Sequence, residues 1–224
     1  MNTKRPRNKT LSSMVGSLMS LICLLPCASA NAHPGPVEVL QGMSDQVIAI
    51  VDKDPDILND KTRMREVADG IVVPNVDFVL FSKWVLGKYW HKATPEQRKI
   101  FITEFTELLI NSYLTSITRD QYQHQTVRYK PAHKTSDPKK VIVESEVVQP
   151  NGPVINVKFR MHLADTGWMV YDVVVEGVSL VATHRSSFSS IIRQKGIGGL
   201  ITMLEERNIK KASDHETAKA APAH

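Results

Sequence analysis

Cysteine is nearly absent from this chain of 224 residues. Its two cysteines, Cys23 and Cys27, both lie in a short apolar segment near the N terminus. We expect that segment to be removed, so the rest of the chain must fold without disulfides or thiolate metal ligands. Its stability then depends on a hydrophobic core alone. About 190 residues remain, enough for one domain with a sizeable core or with a core and an internal cavity.

Acidic residues are missing from the N-terminal region, where four basic residues precede an apolar run from about Val15 to Leu25. Small residues follow this run, and the layout is that of a secretory signal peptide. We predict a signal peptide at residues 1–32, cleaved after Ala30 or Ala32. A permanent membrane anchor is the alternative, but the run is short for a span of roughly 20 residues.

A strong net charge is also lacking once that segment is set aside. The whole chain has a formal charge of +5, but the four basic residues of the segment reduce 28 Lys and Arg to 24, against 23 Asp and Glu. This balance gives no support for a nucleic-acid partner. The loop from Lys130 to Lys140 is locally basic. It fits an anionic partner or lipid surface, but a solvated connection between strands is the favoured interpretation.

Catalytic motifs are missing as well. The histidines show no HxH or HExxH spacing. The segment GVSLV at 177–181 begins like a hydrolase nucleophile elbow, but Val181 replaces the last glycine, so Ser179 is interpreted as a helix N-cap. The glycines near 196 have no Lys-Ser/Thr after them and are interpreted as a helix break. Asp172 and His162 remain candidates for a general base, although an ion pair with a Lys or Arg of the next strand is the favoured role for Asp172.

The first half of the chain has helical patterns. Apolar residues at helical spacing, with caps and prolines at the ends, predict three short helices at 37–54, 60–72 and 77–87. Thr94 opens a longer helix, because Pro95 follows at the first helical position and Gln97 completes a capping box. A further helix follows Ser179. We expect one domain at 33–208 and a disordered tail at 209–224.

Strand patterns follow the long helix. Four strands are predicted, at 125–130, 141–149, 154–163 and 167–176, and their short turns indicate an antiparallel meander. The order of elements predicts an α+β domain with a twisted sheet of about four strands against several helices. Simple alternation along the fourth strand places Asp172 with Trp168 and Val170. The opposite, buried face of this strand then consists of Met169, Tyr171, Val173 and Val175.

Three stretches carry the most specific information: VDFVLFSKWVLGKYW, ATPEQRKIFITEFTELLINSY and GWMVYDVVVEGVSLVATHRSSFSSIIRQKGIGGLI. In order and spacing they resemble the MlaC (toluene-tolerance) family of periplasmic phospholipid-binding proteins. The similarity covers residues 37–208 and is most specific at 171–180. Phe81, in place of a common methionine, and Thr183-His184, in place of Asn-Tyr, depart from the family pattern. These departures concern the mouth of the pocket and not the class of protein.

The resemblance implies a soluble periplasmic carrier and not an enzyme. Such a carrier shuttles glycerophospholipids between an outer-membrane lipoprotein complex and an inner-membrane ABC permease complex, which maintains the lipid asymmetry of the outer membrane. It further implies an NTF2/cystatin-like α+β fold in which sheet and helices enclose the acyl chains. Phospholipid is then the cargo, and neither a cofactor nor a metal is expected.

A deep apolar slot is the physical requirement for such a carrier. Each methylene kept from water contributes about 0.8 kcal/mol, so two acyl chains with about thirty methylenes represent roughly 24 kcal/mol of gross exposure cost. Apolar positions on the sheet and on the covering helices are predicted to line the slot: Phe78, Leu86, Trp90, Phe101, Phe105, Leu108, Tyr113, Val157, Phe159, Met161, Tyr171, Val173, Val175, Val178, Phe188 and Ile191.

Two alternatives come from other classes. One is a small periplasmic hydrolase or isomerase that acts on an apolar substrate with Asp172 or His162 in a polar-lined cavity. The other is a binding protein for a polar solute, which is disfavoured because the chain is short for two lobes and its pattern supplies few hydrogen-bonding side chains.

Overall fold

Helices precede and follow a single run of strands. The computed structural model describes residues 33–114, 122 and 124–220, and the predicted signal peptide lies outside them. Within these residues the five α-helices are α1 Pro36–Lys53, α2 Lys61–Val67, α3 Phe78–Leu86, α4 Pro95–Leu114 and α5 Leu180–Ala220. The six strands are β1 Thr126–Tyr129, β2 His133–Lys134, β3 Lys140–Val148, β4 Ile155–Ala164, β5 Gly167–Val175 and β6 Val178–Ser179. A π-helical turn, Ala68–Val72, follows α2 directly.

Helix ends lie at the predicted cap residues. The capping box of α4 is confirmed: the Gln97 N–H donates to Thr94 Oγ1 and the Thr94 N–H donates to Gln97 Oε1, both at 3.1 Å. The side chain of Asp77 accepts from the Leu80 N–H at 2.8 Å and caps α3. Gly87 ends α3 with a φ of +53°, a conformation that costs other residues free energy.

The strands form one antiparallel sheet, as predicted. Their order is β1-β3-β4-β5-β6, and β2 also pairs with β3. Periodicity did not indicate β2 and β6, because two residues are too few to show alternation. The α+β architecture of helices against a meander is the predicted one.

An extra residue in β5 changes its pairing with β4. Arg160 pairs with Asp172, but its neighbour Met161 pairs with Val170, so Tyr171 has no partner of its own. This is a β-bulge, in which two residues of one strand oppose one of the other. The pattern of side chains along β5 therefore shifts by one position at Tyr171.

The bulge changes which side chains of β5 lie on the same face of the sheet. Val170 and Val173 pair with Met161 and Phe159, so they share a face of the sheet. Asp172 lies on the other face, with Arg160. The expectations that Asp172 shares a face with Val170, and that Met169 and Tyr171 share one with Val173, are therefore wrong. A bulge leaves no mark in a purely apolar pattern.

Buried side chains form two main clusters. The helical core joins α3, α4 and α5 and includes Phe81, Phe101, Phe105, Phe188 and Leu204. The sheet core lies under α1 and includes Leu40, Val143, Met161 and Val170. The region between these two clusters, close to α2 and the π-helical turn, is where the cavity described below is found.

Helix α5 has a kink and a long C-terminal arm. Gly196 has a φ of +72° and a ψ of 178°, which confirms the predicted break. Beyond it the helix continues to Ala220, and the Lys211 ammonium lies 3.3 Å from Ser112 Oγ. This helix includes residues 209–220 of the predicted disordered tail, whose Ala, Lys and Glu residues are also strong helix formers. The rest of that tail, 221–224, lies outside the described residues.

Candidate functional site

An apolar cavity lies between the sheet and the helices. Its volume is about 260 Å³. Its lining comes from α1, α2, the π-helical turn, α3, α4, β5 and the start of α5: Val47, Met64, Val67, Ala68, Val72, Val76, Phe78, Phe81, Leu109, Ile110, Tyr113, Val170, Val173 and Leu180. Apart from the Tyr113 hydroxyl, these side chains contain no nitrogen or oxygen. We call this space the main cavity.

Small side chains keep the main cavity open. Ala68 and Val72 of the π-helical turn and Val47 of α1 face it where longer side chains would fill the space. Protein interiors are otherwise packed to nearly crystalline density, so a void of this size is unusual. π-Helical turns are rare and frequently occur at functional sites. The turn therefore contributes two small side chains, Ala68 and Val72, to the lining of the cavity.

A second cavity adjoins the first. Its volume is about 230 Å³, and Val47 and Val72 line both spaces. Its polar side chains are already bonded to the protein: the Tyr129 hydroxyl donates to Leu40 O at 3.1 Å, Ser44 Oγ donates to Gln41 O at 3.0 Å, and Ser145 Oγ donates to Val157 O at 3.3 Å. Together the two cavities reach the range of roughly 300–1,000 Å³ that is typical of ligand sites. Both offer contact to hydrocarbon rather than hydrogen bonds.

Tyr113 marks the boundary between the main cavity and solvent. It lies in the last turn of α4 and is 43% exposed. Partial burial raises the pKa of Tyr113 above its usual value, so the hydroxyl is neutral at ordinary pH and contributes no charge to the mouth.

The structure brings five of the sixteen predicted slot residues to these cavities. Phe78, Tyr113 and Val173 line the main cavity, and Val157 and Phe159 line the second. These five come from three regions that are far apart in the sequence. The sheet and the helices therefore converge as predicted, although with different side chains.

Seven predicted slot residues lie in or against the helical core: Leu86, Trp90, Phe101, Phe105, Leu108, Phe188 and Ile191. Phe105 illustrates why they do not line the main cavity. Its ring centroid is 5.5 Å from those of Phe81 and Phe101 and 5.8 Å from that of Phe188. Such distances belong to directly packed aromatic rings. Leu86 also borders a surface groove but neither of the two cavities.

The last four predicted slot residues lie elsewhere. Met161 is in the sheet core, and Tyr171 faces α3, where its ring stacks on Trp84. Val175 and Val178 are exposed, by 37% and 59%. The sequence missed Ala68, Val72 and their neighbours, whose spacing is that of an ordinary buried helix face.

The chain matches a known protein family over most of its length. A family model with the description "MlaC protein" matches residues 41–206, well over half of the chain. The chain belongs to the MlaC family. This confirms the resemblance that the three sequence stretches indicated.

Relatives of this MlaC-family chain match along most of its length. The intermembrane phospholipid transport system binding protein MlaC of Haemophilus influenzae is 25% identical over 190 residues, 83% of this chain and 88% of that one. The toluene tolerance protein ttg2D of Pseudomonas putida is 26% identical over 188 residues, 83% and 86% of the two chains. The solved phospholipid-binding protein of Ralstonia solanacearum, in complex with a phospholipid, superposes with a TM-score of 0.72 at 31% identity and covers 80% of this chain and 99% of its own.

Asp172 of this MlaC-family chain joins β4, β5 and the start of α5. It is 1% exposed and accepts from Arg160 Nη1 at 2.9 Å, from Ser179 Oγ at 2.7 Å and from the Val181 N–H at 3.0 Å. Ser179 Oγ in turn accepts from the Ala182 N–H, which confirms the N-cap. The predicted ion pair with a basic residue is thus present, although Arg160 belongs to the preceding strand and not the next one.

Replacing Asp172 with asparagine is expected to lower the free energy of unfolding by about 2 kcal/mol, since the amide cannot accept from all three donors. Urea unfolding of the purified variant measures this. Asp165→Asn, at an exposed turn, is the control and should leave stability unchanged. Equal stability of the Asp172 variant and the wild type would contradict a structural role for Asp172.

His162, the other candidate base in this MlaC-family chain, is also held by a protein group. Its Nε2 lies 2.8 Å from Asp77 Oδ2. Neither His162 nor Asp172 lines the main cavity or the second one. No described helix is long and apolar enough to cross a membrane. Among the described residues no cluster of three or more His, Cys, Asp or Glu is suited to a metal ion.

His184 is expected to make the stability of this MlaC-family chain depend on pH. Its ring contacts Phe105 at 5.1 Å between centroids. Burial lowers the pKa of His184 below the usual 6.5, and the charge of Arg207 lowers it further. Because the unfolded chain then binds the proton more tightly, the free energy of unfolding should fall as the pH drops below about 6.5.

A variant isolates this contribution. His184→Phe fits an aromatic cluster and cannot titrate, so it should lose less stability than the wild type between about pH 8 and pH 5. Urea unfolding at the two pH values measures both proteins. Identical losses would show that His184 titrates alike in the folded and unfolded states.

Proposed function

We propose that this chain is a phospholipid carrier that holds acyl chains in the main cavity. The observation that carries the proposal is the lining of that cavity, which has one polar side-chain atom, the Tyr113 hydroxyl. Such a surface binds hydrocarbon, because it offers apolar contact and no means of recognising a polar solute. Belonging to the MlaC family supports the proposal, as does the phospholipid bound by the Ralstonia solanacearum relative.

Binding is expected to widen the space that the structure shows. The main cavity adjoins the second cavity at Val47 and Val72. Movement of these two side chains joins the spaces into one slot that runs from Tyr113 toward the sheet surface near Phe159. The headgroup stays at the mouth, in water. Few polar contacts hold it, which suits a carrier that must release its cargo.

The setting of the carrier is proposed to be the periplasm. The predicted signal peptide supports export. The Haemophilus influenzae relative is described as the binding protein of an intermembrane phospholipid transport system. We therefore propose that this chain moves phospholipid between an outer-membrane lipoprotein complex and an inner-membrane ABC permease complex, and so maintains outer-membrane asymmetry.

The enzyme alternative receives less support. An enzyme acting on an apolar substrate needs a catalytic group beside its apolar site. Asp172 and His162 instead make hydrogen bonds to the protein away from both cavities. We propose a transport protein on this basis.

Mass spectrometry of an organic extract tests the carrier function. The exported protein, purified from the periplasm without detergent, should contain phospholipid at about one molecule per chain. Stripping the lipid should lower the melting temperature, because a ligand that binds only the folded state stabilises it. Reloading from phospholipid vesicles should restore the melting temperature. Purified protein without stoichiometric phospholipid, and without uptake from vesicles, would exclude the carrier function.

A further inference from the structure

Two connected grooves run along the side of α3 that faces away from the main cavity. Their volumes are about 630 and 320 Å³, and Trp84 and Arg185 line both. Phe81 of the same helix points the other way, into the main cavity. Five basic side chains line the grooves: Lys83, Lys88, Lys140, Arg160 and Arg185. We call this surface the basic groove.

The basic groove has an excess of positive charge. Asp172 is the acidic side chain that lines it, and that carboxylate is buried and bonded to Arg160. Lys140 pairs with Asp137 at 3.0 Å. Lys83 and Lys88 form no salt bridge with any residue that the structure describes. Since residues 33–224 contain nearly equal numbers of basic and acidic residues, this groove is more positive than the average of those residues.

An exposed aromatic side chain is fixed in the middle of the basic groove. Trp84 is 43% exposed, and its ring stacks on Tyr171 with 6.4 Å between centroids. The guanidinium of Arg185 lies 5.8 Å from the Trp84 ring and donates through Nε to Trp84 O at 2.7 Å. An exposed tryptophan held in place next to basic side chains is typical of a binding hot spot, because Trp and Arg are enriched at such sites.

We propose that the basic groove docks an acidic segment of a partner protein. Carboxylates of that segment contact Lys83 and Lys88, and an apolar side chain packs on Trp84. The concave shape favours a peptide over a membrane, because a flat bilayer surface cannot reach side chains along the floor of a groove. The proposal rests on the proposed function in one respect: a carrier needs a partner at which its cargo is received or released.

Docking at the basic groove would act on the walls of the main cavity. In α3, Trp84 lines the groove and Phe81 lines the main cavity. In α5, Arg185 lines the groove and Leu180 lines the main cavity. The bond from Arg185 to Trp84 O also ties the two helices together. A partner that displaces this bond therefore loosens the wall next to the lipid.

Fluorescence anisotropy with a labelled peptide tests the docking site. The probe is a twelve-residue peptide of alternating Glu and Leu, added to the exported protein at low salt. Binding should weaken about tenfold or more in Lys83→Glu/Lys88→Glu, because two attractive contacts become repulsive. Trp84→Ala should also weaken binding. Lys99→Glu/Lys210→Glu makes the same change in net charge at exposed positions outside the groove and is the matched control.

The outcomes separate docking from lipid carriage. Retained peptide binding in the control, with loss in the groove variant, supports the proposal. Equal loss in both variants, or no binding by the wild type, overturns it. Binding of the wild type to phosphatidylglycerol vesicles but not to the peptide also overturns it in favour of a lipid surface. Phospholipid content is measured in each protein: a wild type that binds peptide without lipid refutes only the carrier function.

Discussion

Val173→Glu is expected to abolish phospholipid binding in a protein that still folds. Val173 lines the main cavity from β5, opposite α1 and α2. A carboxylate at this position stays hydrated, because its desolvation against hydrocarbon without a charged or hydrogen-bonding partner has too high a cost in free energy. Acyl chains are then excluded. Mass spectrometry of the organic extract measures lipid per chain, and circular dichroism checks the fold.

Val175→Glu is the matched control. Val175 lies two residues further along β5, on the same face, but it is 37% exposed and outside both cavities. It should keep its phospholipid. Retention of phospholipid by the Val173→Glu variant would show that the main cavity is not the binding site. Loss in both variants would indicate damage to β5 rather than to the cavity.

Phe105→Ala is expected to lower the free energy of unfolding by about 3–5 kcal/mol, the cost of removing a packed aromatic side chain. Phe105 is fully buried and touches the rings of Phe81, Phe101 and Phe188. Phospholipid per folded molecule should not change, because Phe105 does not line the main cavity. Urea unfolding gives the stability, and the organic extract gives the lipid content.

Ile100→Ala serves as the control on the same helix. Ile100 is exposed near the start of α4, so its truncation should cost less than about 1 kcal/mol. A Phe105→Ala protein with wild-type stability and no phospholipid would place the slot in the helical core, where seven of the predicted slot residues lie.

Local chemistry explains why much of the fold could be predicted. The capping box of Thr94 and Gln97 and the break at Gly196 depend on residues close in sequence, and both are present. Short turns dictated an antiparallel meander. The bulge at Tyr171 could not be predicted, because it is visible only in the pairing of β5 with β4.

The lining of the site was harder to predict than the fold, because core and cavity have the same pattern. Phe105 and Val173 are both apolar and both periodic, yet one is enclosed by rings and the other borders empty space. Which surfaces fail to meet depends on packing between distant elements. Phe101, Phe105 and Phe188 fill the helical core, whereas Ala68 and Val72 border the gap.

Two valines form the boundary between the adjoining cavities. Val47 and Val72 alone are common to the linings of both spaces. Rotation of a valine side chain is a small local change, so we expect the two cavities to join without rearrangement of the backbone. We therefore expect the size of the side chains at positions 47 and 72 to set the length of acyl chain that the proposed slot accommodates.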